Sequence, residues 1–255
     1  MPIEIVTVPC LSDNYAFLIH DDASGRTALV DVPEARPILE ALDTRGWTLD
    51  EVWITHHHDD HVQGLGAVLE QHKALVRGAA ADAHRLPALD VALRDEDHFD
   101  FAGHDVRVMD VSGHTVGHIA YYVADAGAVF TADSLMALGC GRLFEGSAPQ
   151  MWESLSKLAA LPEETLVCSG HEYTAANAKF ALTVDPDNSE LISRSRAISE
   201  ARASQTPTVP STLALELKTN PFLRAADPAI RAFLNKKQAS DADVFAEIRA
   251  RKDAF

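Results

Sequence analysis

The segment Val52-Trp53-Ile54-Thr55-His56-His57-His58-Asp59-Asp60-His61 decides the fold of this chain. Its apolar first three residues predict a short strand, and six side chains able to bind metal end the segment. His56 and His58 are two residues apart in an extended loop, so both imidazoles lie on one side. Asp60 and His61 begin a helix, where a carboxylate is favoured, and reach a second position nearby. One loop can therefore serve two metals. The alternative is a solvated loop; the internal position excludes a purification tag.

Three later residues repeat this context, a possible metal ligand at the end of a predicted strand: His114, Asp133 and His171. Each has an ordinary explanation when taken alone, as a turn histidine, a helix cap or a buried histidine. Strand ends in a layered fold of sheets and helices gather on one edge, so separate loops can converge there. Together with the His-rich loop, the three residues favour one metal site.

These residues resemble the signature of the metallo-β-lactamase superfamily, Thr-His-x-His-x-Asp-His followed by a histidine, a bridging aspartate and a last histidine. Within the superfamily the chain resembles the glyoxalase II family, the hydroxyacylglutathione hydrolases. This finer resemblance depends on the segments 139–146, 170–181, 220–224 and 249–255, and it extends over the whole chain.

The resemblance implies two metal ions, with Asp133 bridging both. The first metal would be bound by His56, His58 and His114, and the second by Asp60, His61 and His171. Imidazole and carboxylate ligands suit zinc, and they also accept iron or manganese. The implied reaction is hydrolysis of S-(2-hydroxyacyl)glutathione thioesters, notably S-D-lactoylglutathione, by a hydroxide between the metals, with Asp60 as the catalytic residue that orients it and accepts its proton.

Glutathione is anionic, whereas this chain has a formal net charge of -16, so local cations must bind the substrate. The resemblance implies substrate-binding roles for Arg142, Arg249 and Lys252, with hydrogen bonds from Tyr173 and Asn177. Some family members have lysine in place of Arg142, which keeps the charge. Others have tyrosine where Phe144 stands, and Phe144 contributes only its ring.

The other histidines of the chain are given no ligand role. His57 and Asp59 alternate with the ligands and should point away from the metals. His118 should pack or form hydrogen bonds behind the site. The remaining histidines have no motif around them and are interpreted as ordinary surface or hydrogen-bonded residues: His20, His72, His84, His98 and His104.

The pattern of apolar residues predicts two sheets flanked by helices, followed by a smaller helical part. The resemblance implies that this is an α+β fold, a metallo-β-lactamase-like four-layer αββα sandwich with a smaller C-terminal helical domain. Residues 1–170 would form the metal-binding catalytic domain and residues 171–255 the helical glutathione-binding domain. Helices are predicted at 35–43, 62–72, 175–182, 190–203 and 244–251. Strands are predicted at 3–8, 15–19, 27–32, 52–55, 106–111, 119–123 and 128–131.

Composition and cysteine content agree with a cytoplasmic enzyme. The three cysteines are too few and too scattered for a disulfide framework, which indicates a reducing compartment. The first residues lack the pattern of a signal peptide, and no apolar run approaches membrane-spanning length. We therefore expect a soluble cytoplasmic monomer that acts on a small molecule and binds neither membrane nor nucleic acid.

Three other functions are weighed against this one. A glutathione-persulfide dioxygenase would use a single iron with two histidines and one carboxylate, and would not need Asp60, His61 and His171 as ligands. A metal-dependent nuclease must bind a polyanionic substrate, but this chain has a negative net charge and its sequence has no stripe of basic residues. A non-catalytic metal-binding protein would not need the complete ligand set.

Overall fold

The computed structural model describes residues 3–255, which form two compact units. The first unit runs to Asp110 and includes Val116–Ala132. The second comprises Val111–Thr115 and Asp133–Phe255. These units do not divide the chain at residue 170, because the second unit already includes Val111–Thr115 and begins again at Asp133. The division after residue 170 therefore stays a prediction.

A six-stranded sheet is the main element of the first unit. Its first three strands are antiparallel neighbours, and the third to sixth run parallel to one another. Parallel neighbours need crossover connections, and helices supply the first two of these. The strands, in sheet order, are β1 (Glu4–Cys10), β2 (Asn14–Asp21), β3 (Arg26–Val30), β4 (Glu51–Trp53), β5 (Leu75–Ala79) and β6 (Val91–Leu93).

The helices of this unit follow β3 and β4. Helix α1 (Ala35–Arg45) agrees with the predicted helix at 35–43 and ends at Gly46, whose φ of 67° suits glycine. The prediction of one helix at 62–72 is wrong, because the segment contains the end of α2 (Asp59–Val62) and then α3 (Leu65–Gln71). A Cβ on Gly64, between them, would lie 2.9 Å from both the Ala35 nitrogen and the Val32 oxygen. Close backbone packing therefore interrupts the helical pattern there.

Four antiparallel strands pack against this sheet within the first unit. Trp53 of β4 lies in a ring cluster with Phe101, at 5.3 Å, and Tyr121, at 5.4 Å. The buried Tyr121 hydroxyl also donates a 2.8 Å hydrogen bond to the carbonyl of Ile54, directly before the His-rich loop. These four strands are β7 (His98–Phe101), β8 (His104–Asp110), β9 (Ile119–Val123) and β10 (Ala128–Ala132).

The second unit is mainly helical, as predicted for the chain after His171. Its core includes a cluster formed by Leu138, Ala178, Ala181, Leu191 and Ile198. The strands are β11 (Leu135–Met136), β12 (Gly139–Cys140), β13 (Leu166–Ser169) and β14 (Ser211–Thr212). The helices are α4 (Ala148–Ala159), α5 (Thr174–Val184), α6 (Ser189–Ala203), α7 (Leu213–Thr219), α8 (Pro228–Phe233) and α9 (Asp241–Asp253). Between residues 3 and 255 no helix is long and apolar enough to cross a membrane.

A buried ion pair organises the second unit around the β11–β12 hairpin. The Glu216 carboxylate, which is fully buried, pairs with Arg194 of α6. The same carboxylate accepts a 2.8 Å hydrogen bond from the Leu138 amide in the hairpin turn. The Asn220 side chain donates to the Met136 carbonyl at 3.1 Å and to the Gly139 carbonyl at 3.0 Å. The hairpin that follows Asp133 is therefore fixed by Glu216 of α7 and by Asn220, which directly follows α7.

Candidate metal centre

The His-rich loop leaves β4 in extended conformation and enters α2 at Asp59, as the spacing predicts. The His56 Nε2 and His58 Nδ1 atoms lie 3.2 Å apart. Two donors of one tetrahedral cation, each about 2.0–2.1 Å from it, lie about 3.3 Å from each other. The His56 and His58 imidazoles therefore have the separation of two ligands to one metal.

Asp31 holds two of the loop's histidines from behind. Its Oδ2 lies 2.8 Å from His61 Nδ1 and accepts a 2.8 Å hydrogen bond from the Thr55 hydroxyl, which in turn lies 3.0 Å from His56 Nδ1. The Asp31 Oδ1 accepts a 2.8 Å hydrogen bond from the Thr55 backbone amide. An imidazole whose Nδ1 is bound in this way presents Nε2 to a metal in a fixed direction. Asp31 lies near His56 and His61, and these bonds make it an orienting group rather than a ligand.

Asp60 is held by Asn14, the first residue of β2. The Asn14 Nδ2 donates to the Asp60 carbonyl at 3.1 Å and to the Asp60 Oδ2 at 3.0 Å. That same Oδ2 lies 3.8 Å from His61 Nε2, so Asp60 and His61 face a common point. The Asp60 side chain is 42% exposed, which leaves it accessible to water and substrate.

The intervening residues His57 and Asp59 have other environments, as predicted. His57 Nδ1 lies 2.9 Å from the buried carboxylate of Asp82, and Asp59 is exposed. Asp82 also pairs with Arg85, whose guanidinium donates to the Val116 carbonyl at 3.0 Å. His118 is buried and stacks on His56, with ring centroids 4.5 Å apart. The prediction that His118 packs behind the site is confirmed.

The second unit brings together the three ligands predicted at later strand ends. His114 Nε2 lies 3.4 Å from Asp133 Oδ2, and His171 Nε2 lies 3.3 Å from Asp133 Oδ1. Each carboxylate oxygen thus faces a different imidazole, which is the arrangement that a bridging ligand requires. The Nδ1 of His114 lies 2.8 Å from the Arg142 carbonyl, which orients the ring. A Cβ on Gly141 would clash with the Asp133 carbonyl and lie 2.8 Å from His114 Nδ1, so only glycine fits there.

The predicted cations lie close together in the second unit. The Arg249 side chain is buried, donates to the Cys140 carbonyl at 2.9 Å and pairs with Asp253 at 2.8 Å. Lys252 is partly exposed, and its Nζ lies 3.5 Å from the Ala176 carbonyl. Burial lowers the Lys252 pKa, as do the positive charges of Arg249 and then Arg142, whereas Asp253 raises it. Clustered positive charges of this kind favour an anion.

The remaining predicted substrate residues differ in exposure. Tyr173 is 40% exposed and stacks on His171, with ring centroids 4.6 Å apart. Phe144 is 62% exposed and lies 5.3 Å from the His114 ring. The Arg142 side chain is also exposed and lies 3.9 Å from Asp253. Asn177 is buried instead, and its amide donates to the Ala137 carbonyl at 3.0 Å.

Sequence reasoning missed three residues that hold the loop: Asn14, Asp31 and Asp82. Asp31 directly follows β3 and has a φ of 57°, a left-handed conformation that aspartate tolerates better than most residues. A polar residue just after a buried strand is the same signal that indicated Asp133 and His171. Asn14 and Asp82 carry no such signal, because neither directly follows a strand: Asn14 begins β2, and Asp82 lies three residues after the end of β5.

The donor set fits a metal centre. All seven predicted ligands offer imidazole nitrogen or carboxylate oxygen, the donors of zinc, iron and manganese sites. Hydrogen bonds from behind hold several of them, a support that metal-binding histidines and carboxylates usually have.

Comparison with known proteins explains both halves of the chain. The sequence model of the metallo-beta-lactamase superfamily matches residues 14–171, and the model of the hydroxyacylglutathione hydrolase C-terminus matches residues 172–255. A hydroxyacylglutathione hydrolase of Roseobacter denitrificans is 77% identical over 100% of both chains. A protein of the same name from Ruegeria pomeroyi is 67% identical, again over 100% of both chains.

The chain belongs to the hydroxyacylglutathione hydrolase family.

Solved structures agree on the fold of this hydroxyacylglutathione hydrolase family member. ETHE1 from Myxococcus xanthus is similar with a TM-score of 0.66 and 25% identity, over 100% of this chain and 99% of that one. The BLEG-1 B3 metallo-beta-lactamase has a TM-score of 0.67 and 20% identity, over 86% of this chain and 99% of that one. The predicted metallo-β-lactamase fold with a C-terminal helical region is therefore confirmed.

Proposed function

We propose that this chain is a thioester hydrolase that converts S-(2-hydroxyacyl)glutathione, notably S-D-lactoylglutathione, to glutathione and a 2-hydroxy acid such as D-lactate. This reaction is the second step of methylglyoxal detoxification. The observation that carries the proposal is the full-length match, at 77% identity, to a protein named hydroxyacylglutathione hydrolase.

The proposed centre binds two divalent cations, zinc in the first place, with iron or manganese as alternatives. His56, His58 and His114 would hold one cation, Asp60, His61 and His171 would hold the other, and Asp133 would serve both. The separate contacts of the two Asp133 oxygens, at 3.4 Å to His114 and 3.3 Å to His171, support the bridging role. When bound, such a pair lowers the pKa of a water molecule toward neutrality and polarises a carbonyl.

The residues of the chain have defined tasks in this reaction. Asp60 orients the attacking water and accepts its proton, since its carboxylate is partly exposed and held by Asn14. The water oxygen bonds to the thioester carbon, and the carbon–sulfur bond breaks. The thiolate sulfur leaves with the electron pair, and the low pKa of a thiol makes it a good leaving group. The proton held by Asp60 then returns to solvent or to that sulfur.

Glutathione binding is assigned to the cation cluster of the second unit. Arg142 and Lys252 are accessible enough to contact substrate carboxylates, and Tyr173 offers a hydroxyl beside His171. Arg249 and Asn177 belong to the same subsite, and their burial favours a role in shaping it. Arginine binds a carboxylate with paired hydrogen bonds, whereas lysine acts as a point charge.

The wider assignments follow from this function. Residues 1–170 form the catalytic domain and residues 171–255 the glutathione-binding domain. The chain works as a cytoplasmic monomer on a small-molecule substrate, without a nucleic-acid or membrane partner. The three cysteines support a reducing compartment, because all are buried and free of disulfides.

The test is hydrolysis of S-D-lactoylglutathione by the purified full chain, followed as loss of thioester absorbance, with metal content measured on the same sample. We expect rapid hydrolysis with about two metals per chain, the stoichiometry of a two-metal site. Absence of hydrolysis in a fully metallated sample would overturn the proposal. An assay of glutathione-persulfide oxidation on that sample would then test the alternative reaction of this superfamily.

A further inference from the structure

The side-chain amide nitrogen of Asn14 makes two hydrogen bonds to a single residue, Asp60. A primary amide nitrogen has two N–H groups, and the Asn14 Nδ2 donates to both the Asp60 carbonyl and the Asp60 Oδ2. The two bonds, at 3.1 and 3.0 Å, connect the carboxylate of Asp60 to its own backbone through one nitrogen. A rotation of the Asp60 side chain that moved Oδ2 away from Asn14 would break the hydrogen bond to Oδ2.

The bonded oxygen is the one that faces the metal site. Asp60 Oδ2 lies 3.8 Å from His61 Nε2. A carboxylate oxygen has two lone pairs, so Oδ2 can accept from Asn14 and still bind a cation. The amide therefore selects the orientation in which Asp60 and His61 address the same point.

Asn14 is itself held firmly. It is buried, with 4% of its surface exposed, and it pairs with Cys10 at the closed end of the β1–β2 hairpin. The hairpin turn passes through Leu11, whose φ is 50° and whose amide donates to Glu34 Oε2 at 2.8 Å. A donor on such an anchored turn can position a side chain more accurately than one on a loose loop.

We infer that Asn14 is a positioning residue that aims the Asp60 carboxylate at the second cation and thereby sets the affinity of that cation. The inference rests on the proposed function, which supplies the role of Asp60 as a metal ligand. A purely structural Asn14 would support the hairpin and loop, and its loss would then affect folding and both cations alike.

The test compares two variants with a matched control. Asn14→Ala removes the donor, and Asn14→Asp keeps the shape while placing an acceptor opposite Asp60. The control is Asn188→Ala, because Asn188 is another asparagine whose side chain supports local structure, as the N-cap of α6. The measurements are thermal melting of the metal-free full chain and Zn²⁺ titration against a chromophoric chelator, which resolves the two equivalents.

We expect both Asn14 variants to bind the first equivalent of Zn²⁺ as the wild type does and the second about 10–100-fold more weakly, the usual effect of losing a group that supports a ligand. Asn188→Ala should lower the melting temperature without changing either affinity. Wild-type affinity for both equivalents in the two folded variants would overturn the inference, as would an equal loss of both. If Asn14→Ala does not fold, the isosteric Asn14→Asp decides between these results.

Failure of this inference can be told apart from failure of the proposed function. Wild-type protein that hydrolyses S-D-lactoylglutathione, combined with unchanged Zn²⁺ binding in the Asn14 variants, would overturn only the role of Asn14. Selective weakening of the second equivalent in the Asn14 variants, combined with wild-type protein that has no thioesterase activity, would overturn only the function.

Discussion

Lys252 and Arg249 lie on the same helix, α9, yet their replacement by alanine should change different quantities. From the sequence alone, both are cations that bind glutathione, and loss of either should raise KM. In the structure, Arg249 is buried and committed to Cys140 and Asp253, whereas Lys252 is partly exposed. We therefore expect Lys252→Ala to act mainly on KM and Arg249→Ala mainly on stability.

The sizes of the two effects follow from these contacts. A hydrogen bond to a charged group contributes about 1.5–3 kcal/mol, and the partial exposure of Lys252 favours the lower end, about 1.5 kcal/mol. That value corresponds to about a tenfold rise in KM. Arg249→Ala leaves the buried Cys140 carbonyl without this donor and removes the guanidinium that lies 5.2 Å from the Phe222 ring. We expect a loss of about 3 kcal/mol in unfolding free energy, since each orphaned buried group costs about 1–3 kcal/mol and packing is lost as well.

The assay measures KM and kcat for S-D-lactoylglutathione and the thermal melt of each metallated variant. Arg251→Ala is the control, because Arg251 is an exposed cation of the same helix that pairs with Glu247. A loss of about 3 kcal/mol should lower the melting temperature of a chain this size by about 6–12 °C. The reasoning is refuted if Arg249→Ala melts like the wild type while raising KM as much as Lys252→Ala does. The KM comparison assumes that chemistry is slow relative to substrate release.

Three further predictions use other contacts. Burial and the nearby guanidinium groups lower the pKa of Lys252, so this lysine loses its charge at a lower pH than an ordinary lysine with a pKa of 10.5. KM should therefore begin to rise with pH below 10.5. KM–pH profiles should show this rise in the wild type and not in Lys252→Arg. Asp133→Asn should lose bound metal and activity together, measured by metal analysis and thioester hydrolysis, whereas the exposed Asp125→Asn should lose neither. Gly141→Ala should displace the Asp133 carbonyl and abolish metal binding, while Gly66→Ala, in open space on α3, should stabilise the chain by about 0.5–1 kcal/mol in urea unfolding.

Local patterns in the sequence predict a large part of this fold. The strand before His56, the loop and the start of a helix near Asp60 all agree with the structure, because each depends on residues close in sequence. The helices predicted at 190–203 and 244–251 correspond to α6 and α9 for the same reason. The predicted helix at 62–72 is wrong because the constraint on Gly64 comes from the backbone around Ala35, which no local pattern contains.

The chemistry of the ligands was also predictable, but their support was not. An aspartate that follows a strand is a recognisable candidate, and so are histidines at alternating positions. Asn14 looks like a turn residue, and its bond to Asp60 exists only once the β1–β2 hairpin and α2 have formed. Sequence reasoning therefore identifies the residues that perform the chemistry more readily than those that orient them.

The buried pair of Arg194 and Glu216 shows why supporting contacts are hard to predict from sequence. Charged residues on helices are normally solvated, so a pattern-based interpretation places both on exposed faces. Here Glu216 is fully buried, and it accepts from Leu138, 78 residues earlier in the chain. A buried pair of this kind adds little net stability, yet removing one partner costs about 3–5 kcal/mol because it leaves a buried charge uncompensated. The hairpin after Asp133 therefore depends on helices that contribute none of the proposed metal ligands, and only the assembled unit has that dependence.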